Sequence, residues 1–151
     1  AGGINMIVYT MGFTKKTARQ FFEQINKNRI DILIDIRLNN KSQLAGFTKG
    51  EDLEFFLRKI CNCDYEHCDE YAPTKEILDC YKKKIIDWSE YEKRYIPLME
   101  RRNATTTFWN RFSKYQTVCL LCSEPTPEKC HRRLLAEMIA RQFPEVVVKH
   151  I

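Results

Sequence analysis

MIVYTMGFTKKTARQFFEQINKNRIDILIDI, residues 6–36, is the stretch on which the fold turns. Met6-Ile-Val-Tyr-Thr10 is a short apolar run that ends at Gly12, the pattern of a strand entering a tight turn. Thr14 stands where a helix cap is needed. Ala18, Phe21, Phe22 and Ile25 then form an apolar stripe at helical spacing, which predicts a helix from Lys15 to Asn28. Ile32-Leu-Ile-Asp-Ile36 follows and is almost continuously apolar, as expected of a strand covered on both faces of a parallel sheet. Strand, helix and strand in this order make a βαβ unit.

The pattern continues toward the C-terminus. A polar loop from Arg37 to Thr48 leads to a helix from Lys49 to Ile60, which buries Leu53, Phe56, Leu57 and Ile60. Asp64-Tyr-Glu-His67 reads as a short strand. Tyr71 to Asn103 reads as helical segments, one capped by Thr74 and another beginning at Ser89; Lys82-Lys-Lys84 reads as a solvated helix face. Thr117 to Leu121 is a third apolar strand, Pro127 to Gln142 a helix, and Glu145-Val-Val-Val-Lys149 a last strand. Alternating strands and helices predict a single three-layer α/β domain over 6–151, Rossmann-like or flavodoxin-like, with a mostly parallel sheet and helices on both faces. Ligands of such folds sit beyond the carboxyl ends of the strands, where chain order reverses.

Length and composition agree: 151 residues make one domain, 44% apolar and 30% charged residues are the balance of a soluble protein, and no apolar run reaches membrane-spanning length. Ala1-Gly-Gly-Ile-Asn5 has neither the basic nor the apolar region of a secretion signal and reads as a cloning remnant or a disordered N-terminus. A cytoplasmic location is expected. Charge is segregated, with eight Lys/Arg against three Asp/Glu in residues 1–50, eight against thirteen in 51–100, and nine against four in 101–151. Basic chain ends packed together would favour phosphate-bearing partners, including nucleic acid.

Seven cysteines without a secretion signal argue against a disulfide framework. Cys119-Leu-Leu-Cys122 has a zinc-like interval, but within a strand residues three apart point to opposite faces. Cys61-x-Cys63-x₄-Cys68 beside His67 is a better local cluster, but it straddles a strand across which Cys63 and Cys68 need not converge, and buried thiols are expected rather than structural zinc. The sequence leaves the cofactor unknown.

The ionisable residues gather at predicted strand ends. Asp35 interrupts an apolar strand, where a carboxylate needs a partner, and alternation puts Arg37 on the same side. Thr126-Pro-Glu128 has the marks of a helix start, which places Cys130 and His131 about one turn in, where helix polarity favours anions and thiolates. Arg132 adds positive charge, and Glu124 is a candidate general acid or base.

Tyr9-Thr-Met-Gly-Phe13, Leu33-Ile-Asp-Ile-Arg37 and Leu120-Leu-Cys-Ser-Glu124 followed by Cys130-His-Arg-Arg-Leu-Leu135 resemble the domain-of-unknown-function 488 family. The resemblance spans Met6 to the C-terminus and implies a shared site at Thr10, Gly12, Asp35, Arg37, Cys122, Glu124, Cys130, His131 and Arg132. Phe13 and Thr14 stand where the family often has His and Ser, and Leu38-Asn-Asn-Lys-Ser42 departs from its usual Ser and Pro. The expectation is an enzyme, a hydrolase or transferase acting on a nucleic acid, a nucleotide or another phosphate-bearing substrate. Arg37 and Arg132 would hold phosphate, Thr10, Gly12 and Asp35 would complete its binding site, Glu124 or His131 would move a proton, and Cys122 or Cys130 would be nucleophile or lining. The alternatives are a non-catalytic nucleic-acid-binding module, presenting Trp109, Arg111, Phe112 and Tyr115, and a thiol- or metal-dependent site of Cys122, Cys130 and His131.

Overall fold

The structure is a computed structural model that describes residues 6–41 and 46–151. Residues 1–5, on which the reading of a cloning remnant or disordered N-terminus falls, and residues 42–45 of the polar loop lie outside the described residues. Strands β1 (Met6–Gly12), β2 (Ile32–Asp35), β3 (Asp64–His67), β4 (Thr117–Cys122) and β5 (Val146–His150) form one sheet in the order β3-β2-β4-β1-β5. Every pairing is parallel. Helices α1 (Ala18–Lys27) and α2 (Gly50–Cys61) lie in sequence on either side of β2, and α3 (Lys75–Lys82), α4 (Trp88–Arg101) and α5 (Ala104–Phe112) fill the connection from β3 to β4. Helix α6 (His131–Gln142) leads to β5.

Strand alternation divides the core in two. Tyr9, Met11, Leu33, Cys119 and Leu121 pack with Phe21, Phe22, Leu53 and Leu57 of α1 and α2. Val8, Ile34, Ile36, Val118 and Leu120 pack with Tyr95, Phe108 and Leu135 of the α4–α6 layer. This is the expected three-layer α/β fold of Rossmann or flavodoxin type, and no helix among the described residues is long and apolar enough to cross a membrane. Cys119 and Cys122 serve opposite faces, as their spacing predicts.

Several element starts differ from the sequence reading. Helix α1 begins after Thr17, whose hydroxyl accepts from the Gln20 N–H at 3.1 Å while Gln20 Oε1 accepts from the Thr17 N–H at 2.9 Å. Thr14 is instead bound to β4's exit, its N–H donating to the Ser123 carbonyl, and Lys15 turns the chain with a φ of 68°. Asp87, not Ser89, opens the second long helix, its carboxylate accepting from the Glu90 N–H. Ile60, expected in the core, is 51% exposed, and Ala18 is exposed as well, so each apolar stripe is narrower than its spacing suggests.

Candidate functional site

Asp35 is the last residue of β2 and is fully buried. Its partner is Arg37, two residues on: Arg37 Nε donates to Asp35 Oδ1 at 2.8 Å and Nη2 to Oδ2 at 2.7 Å. This forked pairing is the strong form of an ion pair, and the Tyr65 hydroxyl adds a donor to Oδ2 at 2.6 Å. Arg37 is only 5% exposed. Burial opposes its charge, but hydrogen bonding and charge from Asp35 raise its pKa, so the guanidinium stays ionised. Nη2 also donates to the Thr48 carbonyl at 2.7 Å, and the guanidinium lies over the Phe13 ring at 5.2 Å. Among the described residues Nη1 has no hydrogen-bond partner.

Across the strand tips, β4 ends at Cys122, and Cys130 and His131 follow after a turn. Thr126-Pro127 does not open α6. Cys130, in extended conformation (φ −140°), is the N-cap, and His131 is the first helical residue. The loop accounts for the delay: the Glu124 carbonyl is drawn onto Arg132 Nη1 at 2.6 Å, and the Cys130 N–H closes a turn on the Pro127 carbonyl. Cys130 thereby drops beside Cys122. One ligand-type atom from each of Cys122, Cys130 and His131 lies within 4.8 Å of the others, and all three residues are buried. The hydrogen bond from the Cys130 thiol, helped by the Ser123 and Glu124 N–H groups and by Arg132, outweighs burial and lowers the Cys122 pKa. The same pairing, together with burial, raises that of Cys130. The thiolate therefore belongs to Cys122 rather than to the residue at the helix start.

Thr10, Gly12 and Arg132 lie behind this floor. Arg132 is completely buried, donates through Nε to the Thr10 hydroxyl at 3.2 Å, and leaves Nη2 without a partner among the described residues. A Cβ on Gly12 would stand 1.6 Å from the Glu124 carbonyl oxygen, so the glycine is required by close backbone approach. Thr10 also hydrogen-bonds His150, whose pKa is lowered by burial and by Arg132.

The cleft at the carboxyl ends of β2 and β4 has a volume of about 870 Å³. Arg37, Cys122, Glu124, Cys130 and His131 line it, whereas Thr10, Gly12, Asp35 and Arg132 support the lining residues from behind. Sequence reasoning missed its outer wall. Tyr81, Trp88 and Tyr91 form an aromatic side, with Trp88 stacked on Tyr91 at 4.8 Å. Lys82 and Lys84, expected only as solvated surface, line the cleft, as does Lys129. Phe13, a departure from the family pattern, lines it as the plate beneath Arg37. The aromatic spacing Trp88-x-x-Tyr91 was the available signal, but core packing gives the same pattern. On α5, Arg111 is engaged by Glu66 and Glu70, Phe112 is buried, and Trp109 stacks on Phe143. Arg111 nonetheless keeps 41% of its side-chain surface, and Trp109 and Tyr115 are partly buried.

A family model described as Domain of unknown function DUF488 matches residues 17–139, most of the chain, beginning after β1. No curated protein and no solved structure matches.

Proposed function

The chain belongs to the DUF488 family, and from that premise we propose that it is an enzyme acting on a nucleotide, a nucleic acid or another phosphate-bearing substrate in the cleft above β2 and β4. The observation that carries this reading is Nη1 of Arg37, which has no hydrogen-bond partner among the described residues. A buried guanidinium held on one edge by Asp35 and left with an unsatisfied donor is completed by an anionic acceptor, at a cost in free energy otherwise unmet. Lys82, Lys84 and Lys129 supply further positive charge around the cleft, and Tyr81 and Trp88 offer ring faces on which a base stacks. Glu124 is the group assigned to proton transfer. Cys122, Cys130 and His131 form the floor that meets the reacting end of the substrate. Thr10, Gly12 and Arg132 hold the loop that carries Glu124.

Calorimetric titration with nucleoside monophosphates and pyrophosphate tests the proposal. At least one ligand binds saturably, and Arg37→Ala weakens it about 10- to 100-fold, the worth of one charge-assisted hydrogen bond. Because that variant strands Asp35, its unfolding is followed in parallel, and Lys129→Ala on the exposed rim serves as a second variant with a smaller loss. Absence of saturable binding to wild-type protein, or binding indifferent to both substitutions, would reject the reading.

A further inference from the structure

We infer that Cys122, Cys130 and His131 form a three-ligand site for a zinc-class divalent cation, its fourth position open to the cleft. The histidine carries the argument. His131 Nε2 lies 2.8 Å from the Ile36 carbonyl, which can only accept, so in the neutral imidazole Nε2 holds the proton and Nδ1 presents its lone pair. Fixing a ligating imidazole through its other nitrogen is the usual second-shell arrangement of metal-bound histidines. Nδ1 meets only long contacts, the Tyr91 hydroxyl at 3.4 Å and Cys122 Sγ at 3.6 Å, although His131 is 6% exposed. Both contacts are longer than ordinary hydrogen bonds, so this buried acceptor is only weakly engaged.

The separations approach those the ion needs. Tetrahedral zinc bonds to sulfur and imidazole nitrogen place S and N about 3.6 Å apart and two sulfurs about 3.8 Å apart. Cys122 Sγ lies 3.6 Å from Nδ1 and 3.9 Å from Nε2, beside the ring, and the three ligand atoms fall within 4.8 Å of one another, so rotation of the side chains completes the tetrahedron around the ion. Two cysteines and one histidine leave one position for water or substrate, the donor set of catalytic rather than structural zinc. All three residues, with Glu124, line the same cleft, so that position opens where the substrate is proposed to lie. On binding, each thiol that is still protonated releases its proton to solvent and the sulfur's lone pair forms the metal bond. The site stands on its own geometry; its catalytic use rests on the enzyme reading above.

The test uses the full chain, reduced and stripped with a chelator, then titrated with Co²⁺. One equivalent is expected to bind, with thiolate-to-cobalt charge-transfer absorption and the visible bands of tetrahedral cobalt. Cys122→Ser, Cys130→Ser and His131→Gln each weaken cobalt binding more than about a hundredfold, since loss of a second-shell partner alone costs up to that much. Cys61→Ser, on α2, leaves it unchanged. Because the buried variants risk misfolding, X-ray absorption on zinc-loaded wild-type protein gives an independent reading: two sulfurs, one imidazole nitrogen and one light-atom ligand. No stoichiometric metal, or a coordination sphere of four sulfurs or none, overturns the inference. Loss of the metal site with Arg37-dependent nucleotide binding intact overturns this inference alone, whereas a cobalt site on a protein that binds no phosphate ligand overturns the substrate reading instead.

Discussion

Arg37 and Cys122 show how two residues at strand tips acquire opposite electrostatic fates. Arg37 stays charged because its counter-ion is two positions away on the same side of the strand, a relation legible from alternation alone. Cys122 ionises because a second thiol, eight positions on, donates to it. That contact depends on how the loop folds and could not be read from the chain. In metal-free protein the consequence is kinetic. A lower pKa leaves more thiolate at any pH below it, so a brief iodoacetamide pulse at neutral pH modifies Cys122 ahead of Cys130, and its rate levels off below the ordinary thiol value of 9.0. Peptide mapping across pH checks this; preferential labelling of Cys130 would contradict the assignment. Gly12 teaches the reverse lesson. A glycine pressed against a carbonyl and one pressed against a phosphate leave the same trace in a sequence, and here the neighbour is the Glu124 carbonyl.

At the scale of the element, caps decide where helices begin, and two threonines separate a true cap from an apparent one. Thr17 closes a capping box on α1, so Thr17→Ala is expected to cost about 1 kcal/mol in urea unfolding. Thr126, despite the proline and acid that follow it, lies five residues before α6, and Thr126→Ala is expected to cost below about 0.5 kcal/mol. Comparable losses from both would return Thr126 to the helix start. The local signals at Thr126 were genuine, but the pull of Arg132 on the Glu124 carbonyl and the inward turn of Cys130 outweigh a propensity of this size. Strands β2 and β4 lay close to their expected bounds because buried parallel strands are written as unbroken apolar runs.

For the whole molecule, the three-layer plan was legible but the strand order was not, since nothing local in β2 says that β4 rather than β1 lies beside it. That order assembles the cleft. Asp35 and Arg37 project toward the α1–α2 side and Cys122 toward α6, and the two sides meet only because β2 and β4 are neighbours. The aromatic and lysine wall comes from the long β3-to-β4 connection, where core and lining residues share one helical spacing.

The Ile36 peptide unit links these parts: its N–H donates to the Leu121 carbonyl at 3.1 Å while its own carbonyl receives His131. The recess is thus riveted to the innermost seam of the sheet, unlike a flap that opens by itself. Hydrogen exchange at the Ile36 amide should be as slow as the most protected amides in the molecule, and denaturation followed at Trp88 or at the backbone should trace one curve. An Ile36 amide that exchanges well ahead of them would show a seam that parts on its own. With the seam closed, whatever occupies the recess enters and leaves through its mouth, and holding it there tightens the entire fold rather than one corner of it.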